Sequence, residues 1–218
     1  MTQNPPQKKV SQLIKYYQEA SYENAEKLAK SITEYFPNHI LSLKILGVVL
    51  QKLGKVSQAL KPMKQLIALN YDDPEAHNNL GVIYYDLCQF KNAEANYRQA
   101  IKFKPDYSEA HNNLGNALKE LSRLEEAEKS YRQAIKLKYD YAEAYYNLGS
   151  LLQELSRFNE AEISYRKAIS VKHDFASAYN NLGNTLKELG KLNEAELSYE
   201  QALVIKPNLI QAHHNKNF

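Results

Sequence analysis

The sequence predicts an all-α solenoid of stacked antiparallel helix pairs. Three observations carry that prediction. The dipeptide Leu-Gly recurs every 34 residues, at Leu46-Gly47, Leu80-Gly81, Leu114-Gly115, Leu148-Gly149 and Leu182-Gly183. Each interval holds two sets of apolar residues spaced three and four apart, the period of a helix face. Residues 108–141 and 176–209 agree at 19 of 34 positions. A fixed period of this size means one supersecondary unit per repeat, each burying its apolar face on its neighbours.

Let the glycine of each pair be position 8. Positions 3, 7, 11 and 14 are then apolar, as in Ala110, Leu114, Leu118 and Leu121, and form one stripe of a first helix, helix A. Position 15 ends it, with Gly54, Cys88, Ser122, Ser156 and Gly190, where a left-handed residue is common. Helix B follows, with its stripe at Leu124, Ala127, Tyr131, Ala134 and Ile135. Small residues at Gly115, Ala127 and Ala134 let two helices approach closely. The large residue at position 24 (Tyr97, Tyr131, Tyr165 or Tyr199) fills the space beside them.

Position 33 holds Asn38, Asp72, Asp106, Asp140, Asp174 or Asn208, expected to cap the next helix A. Glu75, Glu109, Glu143 and Gln211 stand where capping boxes would complete them. Pro37, Pro105 and Pro207 stop the preceding helix, and Pro74 opens the next at its first position. Gly and Pro are expected at repeat junctions.

Residues 1–9 read as a disordered lead-in and residues 10–218 as the solenoid. The clear repeats are 74–107, 108–141, 142–175 and 176–209. Residues 40–73 and 6–39 are degenerate copies, the latter with helices expected over 10–19 and 22–35. Residues 210–218 form a partial capping helix, or the chain is a fragment of a longer protein.

Charge is balanced, with a formal net charge of +3 and no basic run, which argues against nucleic acid. The longest apolar stretch, near residues 45–50, is too short to span a membrane, and the start lacks a signal-peptide core. A lone cysteine excludes an intramolecular disulfide and fits a reducing, cytoplasmic compartment.

The phased Leu-Gly pair, with Ala-x-x-x-Tyr-x-x-Ala in helix B, resembles the tetratricopeptide repeat family over nearly the whole chain. The resemblance implies a right-handed superhelix whose concave surface is lined by helix A. It implies a protein or peptide partner.

The polar side of helix A is the candidate site. Asn occupies position 6 without exception at Asn79, Asn113, Asn147, Asn181 and Asn215, although it is a mediocre helix former. Asn78, Asn112 and Asn180 at position 5, and Asn116 and Asn184 at position 9, extend the set. A side-chain amide can pair with both the C=O and N–H of a peptide backbone. The row resembles the asparagine ladder in the tetratricopeptide region of protein O-GlcNAc transferases, which implies that it holds an extended ligand. The competing explanation, that Asn ties neighbouring helices together, stays open.

No catalytic residue, metal site or cofactor is expected. His77, His111 and His213 share position 4 of separate repeats, so they cannot converge on one ion. Cys88 has no activating neighbour. A carboxylate clamp would need a different set at Val48, Glu109 and Asn113. Arg123, Arg132, Arg157 and Arg166 lie on the other face with no assigned role. The expected function is a non-catalytic scaffold. The alternatives are the recognition arm of a larger enzyme, such as a glycosyltransferase, and a module that self-associates through its repeat ends.

Overall fold

The computed structural model describes residues 4–216, which hold thirteen α-helices and no strand. The chain divides into two compact units, residues 1–117 and 118–218. In the first, α1 (Gln7–Gln18) pairs with α2 (Tyr22–Tyr35), α3 (Ile40–Lys52) with α4 (Val56–Leu69), and α5 (Pro74–Asp86) with α6 (Phe90–Phe103). α7 (Ser108–Glu120) follows, and its last three residues belong to the second unit. There α8 (Leu124–Leu137) packs on α9 (Ala142–Glu154), α9 on α10 (Phe158–Val171), α11 (Ala176–Glu188) on α12 (Leu192–Ile205), and α13 (Ile210–Lys216) on α12. Odd-numbered helices are helix A and even-numbered ones helix B.

The glycine of helix A sits against the aromatic ring of helix B. A Cβ added at Gly81 would stand 2.5 Å from Tyr97 Cε1, and one at Gly149 2.8 Å from Tyr165 Cε1. Tyr97, Tyr165 and Tyr199 are almost wholly buried, with Ala93, Ala161 and Ala195 beside them at the close approach. In the degenerate second copy, Met63 takes the place of the ring against Gly47.

Each helix A ends in one turn. Residues at position 15 adopt positive φ: 72° at Gly54, 57° at Cys88, 59° at Ser122, 58° at Ser156 and 73° at Gly190. The N–H of Gly54 donates to Gln51 O (2.9 Å) and that of Lys55 to Leu50 O (2.8 Å), the Schellman pattern that satisfies orphan carbonyls. Ala20, at φ 53°, makes the same turn in the first pair, which keeps the phase although it lacks Leu-Gly.

Helix starts differ from expectation. Helix A begins one residue later than foreseen, so its cap is position 34 and not Asn38, Asp72, Asp106, Asp140, Asp174 or Asn208. Asp73 accepts from the N–H groups of Glu75 (2.9 Å) and Ala76 (3.1 Å), and His39 caps α3. Tyr141 and Phe175 at the same place provide no side-chain cap. Glu75 and Glu143 therefore stand at the second helical position, not the third, and cannot close a capping box. Aromatic residues at position 34 instead receive Lys from the turn: Lys104 lies 4.9 Å from the Tyr107 ring centre and Lys172 5.0 Å from that of Phe175.

Two further expectations change. Of the lead-in, residues 1–3 lie outside the described residues, while residues 7–9 are helical because α1 opens directly after Pro6. Residues 217 and 218 of the partial cap also lie outside them. Pro62 is not at a junction but inside α4, buried, where Leu66 and Met63 hold the helix in the core.

Successive helix-B elements are tied by ions. The base at position 16 reaches back 29 residues to a glutamate at position 21: Lys55 to Glu26 (2.6 Å), Arg157 to Glu128 (2.7 Å) and Lys191 to Glu162 (2.7 Å). The guanidiniums of Arg132 and Arg166 cross to Glu160 and Glu194 of the following repeat. Burial pushes the Glu128 and Glu162 carboxyls up, but the hydrogen bonds from Arg157 with Arg132, and Lys191 with Arg166, outweigh it and hold both below the usual range.

Candidate functional site

The amide row is built by the helical period. Positions 2, 6, 9 and 13 of helix A lie at spacings of four, three and four, so they share a side away from the Leu stripe. The structure separates the amides into three kinds.

Position 5 turns inward. Asn78, Asn112 and Asn180 are 7%, 4% and 3% exposed and so have little surface to offer a ligand. Their place on the helix is about 100° round from position 6, and Asn78 and Asn180 meet the next repeat of their own unit. Asn113 Nδ2 donates to Asn78 Oδ1 (3.1 Å) in the first unit, and Asn215 Nδ2 to Asn180 Oδ1 (3.2 Å) in the second. Where position 5 is Tyr146, its hydroxyl takes the same role, accepting from Asn181 at 3.2 Å. Each link spans 35 residues, so Asn does tie neighbouring helices.

Position 6 is half-buried. Asn79, Asn113, Asn147, Asn181 and Asn215 keep part of their surface in solvent. Asn79 differs from Asn113. The residue before it in the ladder is Lys44, and that ammonium is held by Glu75. The Asn79 side chain makes no hydrogen bond to another described residue.

Position 9 is also half-buried at Asn116 and Asn184. Asn184 Oδ1 accepts from Tyr199 Oη and from Asn215 Nδ2, both at 2.9 Å. Burial, with Glu188 nearby, raises the Tyr199 phenol above its ordinary range, so it stays a donor. Tyr165 is raised chiefly by burial and donates to Gln153 Oε1 (2.9 Å), on the turn after position 9.

In the second unit these side chains surround a hollow of about 450 Å³, lined by Asn180, Asn181, Asn184, Asn215, Ile210, Gln211 and His214. Asn215 spends both N–H groups on Asn180 and Asn184 and keeps its oxygen. Asn184 spends its oxygen and keeps its N–H groups. Among the described residues, one acceptor and one donor group are thus left without a partner side by side, and the described lining holds no Lys, Arg, Asp or Glu.

The histidines at position 4 hold turns. His77, His111 and His213 donate from Nε2 to the carbonyls of Tyr71 (2.8 Å), Pro105 (3.0 Å) and Pro207 (2.8 Å), six residues back. His77 also stacks on Phe103. Among the described residues no group of three His, Cys, Asp or Glu side chains is placed to hold a metal, and no helix is long and apolar enough to cross a membrane. Cys88 is exposed in its turn.

The amide link is the alternative that the sequence left open, and positions 5 and 6, both polar, do not reveal which amide accepts. The ion ladder lay outside the expectations. It does leave a pattern: Lys191 and Arg157 at position 16 are matched by Glu162 and Glu128 at position 21.

Models of one family match the chain. Those described as TPR repeat match residues 47–87 and 115–156, and those described as tetratricopeptide repeat match 74–107, 96–129, 142–175 and 176–209. Together they run without a break from 47 to 209. No curated protein sequence matches. Among solved structures, MamA is 25% identical, with a TM-score of 0.67 over 74% of this chain and 95% of that one. PilW, a type IV pilus biogenesis factor, has a TM-score of 0.85 at 18% identity over 94% of this chain and 96% of its own. YrrB, described as a TPR protein with an unusual peptide-binding site, has a TM-score of 0.66 at 19% identity, over 87% of this chain and 98% of its own. The last two likenesses are ones of fold alone.

Proposed function

The chain belongs to the tetratricopeptide repeat family, and from that premise we propose that it is a protein-interaction scaffold whose helix-A side holds a partner's extended peptide segment. The observation that carries this reading is the uncharged hollow around Asn184 and Asn215. Its unspent N–H groups and oxygen are the complement of a peptide C=O and N–H. The described lining, which carries no formal charge, favours backbone over charged side chains, so recognition would tolerate many ligand sequences. Asn79 offers a whole unspent amide in the first unit. The amide row's likeness to the asparagine ladder of O-GlcNAc transferases, and the peptide-binding site ascribed to YrrB, point the same way. The position-5 amides Asn78 and Asn180 serve by fixing their neighbours, and Asn180 also lines the hollow.

The test is photo-crosslinking from lysate, with a benzophenone amino acid in place of the exposed Gln211 of the full chain. The expected result is capture of peptides unrelated in side-chain sequence, lost when Asn184→Ala is added while circular dichroism stays helical. Equal capture by the folded Asn184→Ala protein would overturn the reading.

A further inference from the structure

The exposed side of helix B changes character in the last two repeats. Position 22 is Ala95 and then Lys129, but Ile163 and Leu197 afterwards; position 29 is Lys102 and Lys136, but Ser170 and Val204 afterwards. Ile163, Leu197 and Val204 are 62%, 60% and 73% exposed. The short Ser170 leaves space between α10 and α12, where a groove of about 370 Å³ opens over Ile169 and Leu182, with Leu197 on its wall.

The charge changes at the same place. α12 carries Glu194, Glu196 and Glu200 and no basic residue, in a chain of formal net charge +3. In earlier copies position 25 is arginine, paired with a glutamate four residues before it: Arg98 with Glu94, Arg132 with Glu128, Arg166 with Glu162. Glu200 replaces that arginine. Glu196 is left without a cationic partner among the described residues, one turn from a second carboxylate, an unfavourable arrangement within a helix. Exposed aliphatics beside the unpartnered carboxylate of Glu196 are poor for an isolated helix and well suited to a covered one.

We propose that this face is a docking surface for a basic amphipathic helix of a partner protein. Leu197 and Val204 stand seven residues, two helical turns, apart, so a partner helix carrying apolar residues at i, i+3 or i+4, and i+7 meets both. One bulky aliphatic side chain enters the groove. Lys or Arg flanking the stripe pairs with Glu196, with the negative charge of Glu200 one turn away, and Glu194 is already shared with Arg166. The same carboxylates repel an anionic membrane surface or nucleic acid. The chain's own basic helix B, α4 with Lys61 and Lys64, buries its stripe of Ala59, Met63 and Leu66 in its own unit, so it is not the occupant.

The test uses the full chain and two fluorescent helical peptides with the same leucine stripe, one flanked by lysines and the other by glutamates. The lysine peptide is expected to bind. Its affinity should fall about tenfold or more with Leu197→Ser plus Val204→Ser, and likewise with Glu196→Lys plus Glu200→Lys, the latter now preferring the glutamate peptide. Glu188→Lys, a charge reversal on the helix-A side, should change affinity by less than about twofold. Binding that ignores Leu197→Ser plus Val204→Ser, or that falls as far with Glu188→Lys, overturns the proposal. Sedimentation showing a self-associated protein that the Leu197→Ser plus Val204→Ser variant dissociates would assign the face to a second copy and overturn it equally.

Discussion

Gly183 and Tyr199 are in such close register that a methyl group on the glycine would stand 2.5 Å from Cε1 of the ring and 2.7 Å from Cδ1. The ring is almost wholly buried and cannot swing aside. Gly183→Ala gains about 1 kcal/mol of helix propensity but overpacks, at a cost of about 1–3 kcal/mol. The net expectation is a lower urea midpoint. Gly47→Ala is the contrast, because there the nearest atom is the free end of Met63, its Cε at 2.5 Å. That variant should be neutral or up to about 1 kcal/mol more stable. Equal losses at both sites would show that ring rigidity is not what separates them.

Ser156 pays for a turn that suits glycine. Its φ of 58° matches the 73° of Gly190 in function but carries a Cβ. Ser156→Gly should stabilise by about 1 kcal/mol, and Gly190→Ala should destabilise by a similar amount. Chemical denaturation of the two variants checks the sign.

The two kinds of position-6 amide separate in stability. Asn113→Ala removes the donor that satisfies buried Asn78, at a cost of about 1–3 kcal/mol. Asn79→Ala removes an amide bonded to no described residue and should move the melting temperature within error. A loss at Asn79 equal to that at Asn113 would mean that the two serve the same role.

Acid should weaken the first unit through Glu26. That carboxylate is 6% exposed, and hydrogen bonds from Lys30 and Lys55, both 2.6 Å, hold its pKa below the ordinary value. The unfolded chain therefore takes up the proton first. The stabilisation is complete above the unfolded carboxylate pKa of about 4.3 and is lost as pH falls through the lower folded value. Glu26→Gln should cost about 1–3 kcal/mol at neutral pH. The gap from wild type should close in strong acid, and a gap that does not change between pH 7 and acid would rule out the charge.

What was legible in the sequence is what repeats with a contrast in residue type. Leu against Glu along helix A gave the stripe, and glycine against tyrosine gave the close approach. Gly54 and Gly190 marked turns that Cys88, Ser122 and Ser156 also make. The caps stand one residue beyond where the sequence suggests them, because Asp106 and Asp140 look like caps, while Tyr107 and Tyr141, which stand at the cap, do not. Asn78 and Asn79 were indistinguishable as letters. Which of them is buried depends on the rotation of one helix against the next, and only the packed repeats fix it.

The ion ladder has a bearing on length. Lys191 meets Glu162 through the same two positions by which Arg157 meets Glu128. Excising residues 142–175 would bring Lys191 to Glu128, an equivalent pair of opposite charge. Losing one residue within a repeat would instead put every later side chain out of phase. Such an array keeps its pairings when whole 34-residue modules are gained or lost, while gain or loss of a few residues breaks them. The number of residues in the array is thereby a quantity that changes in steps of one module.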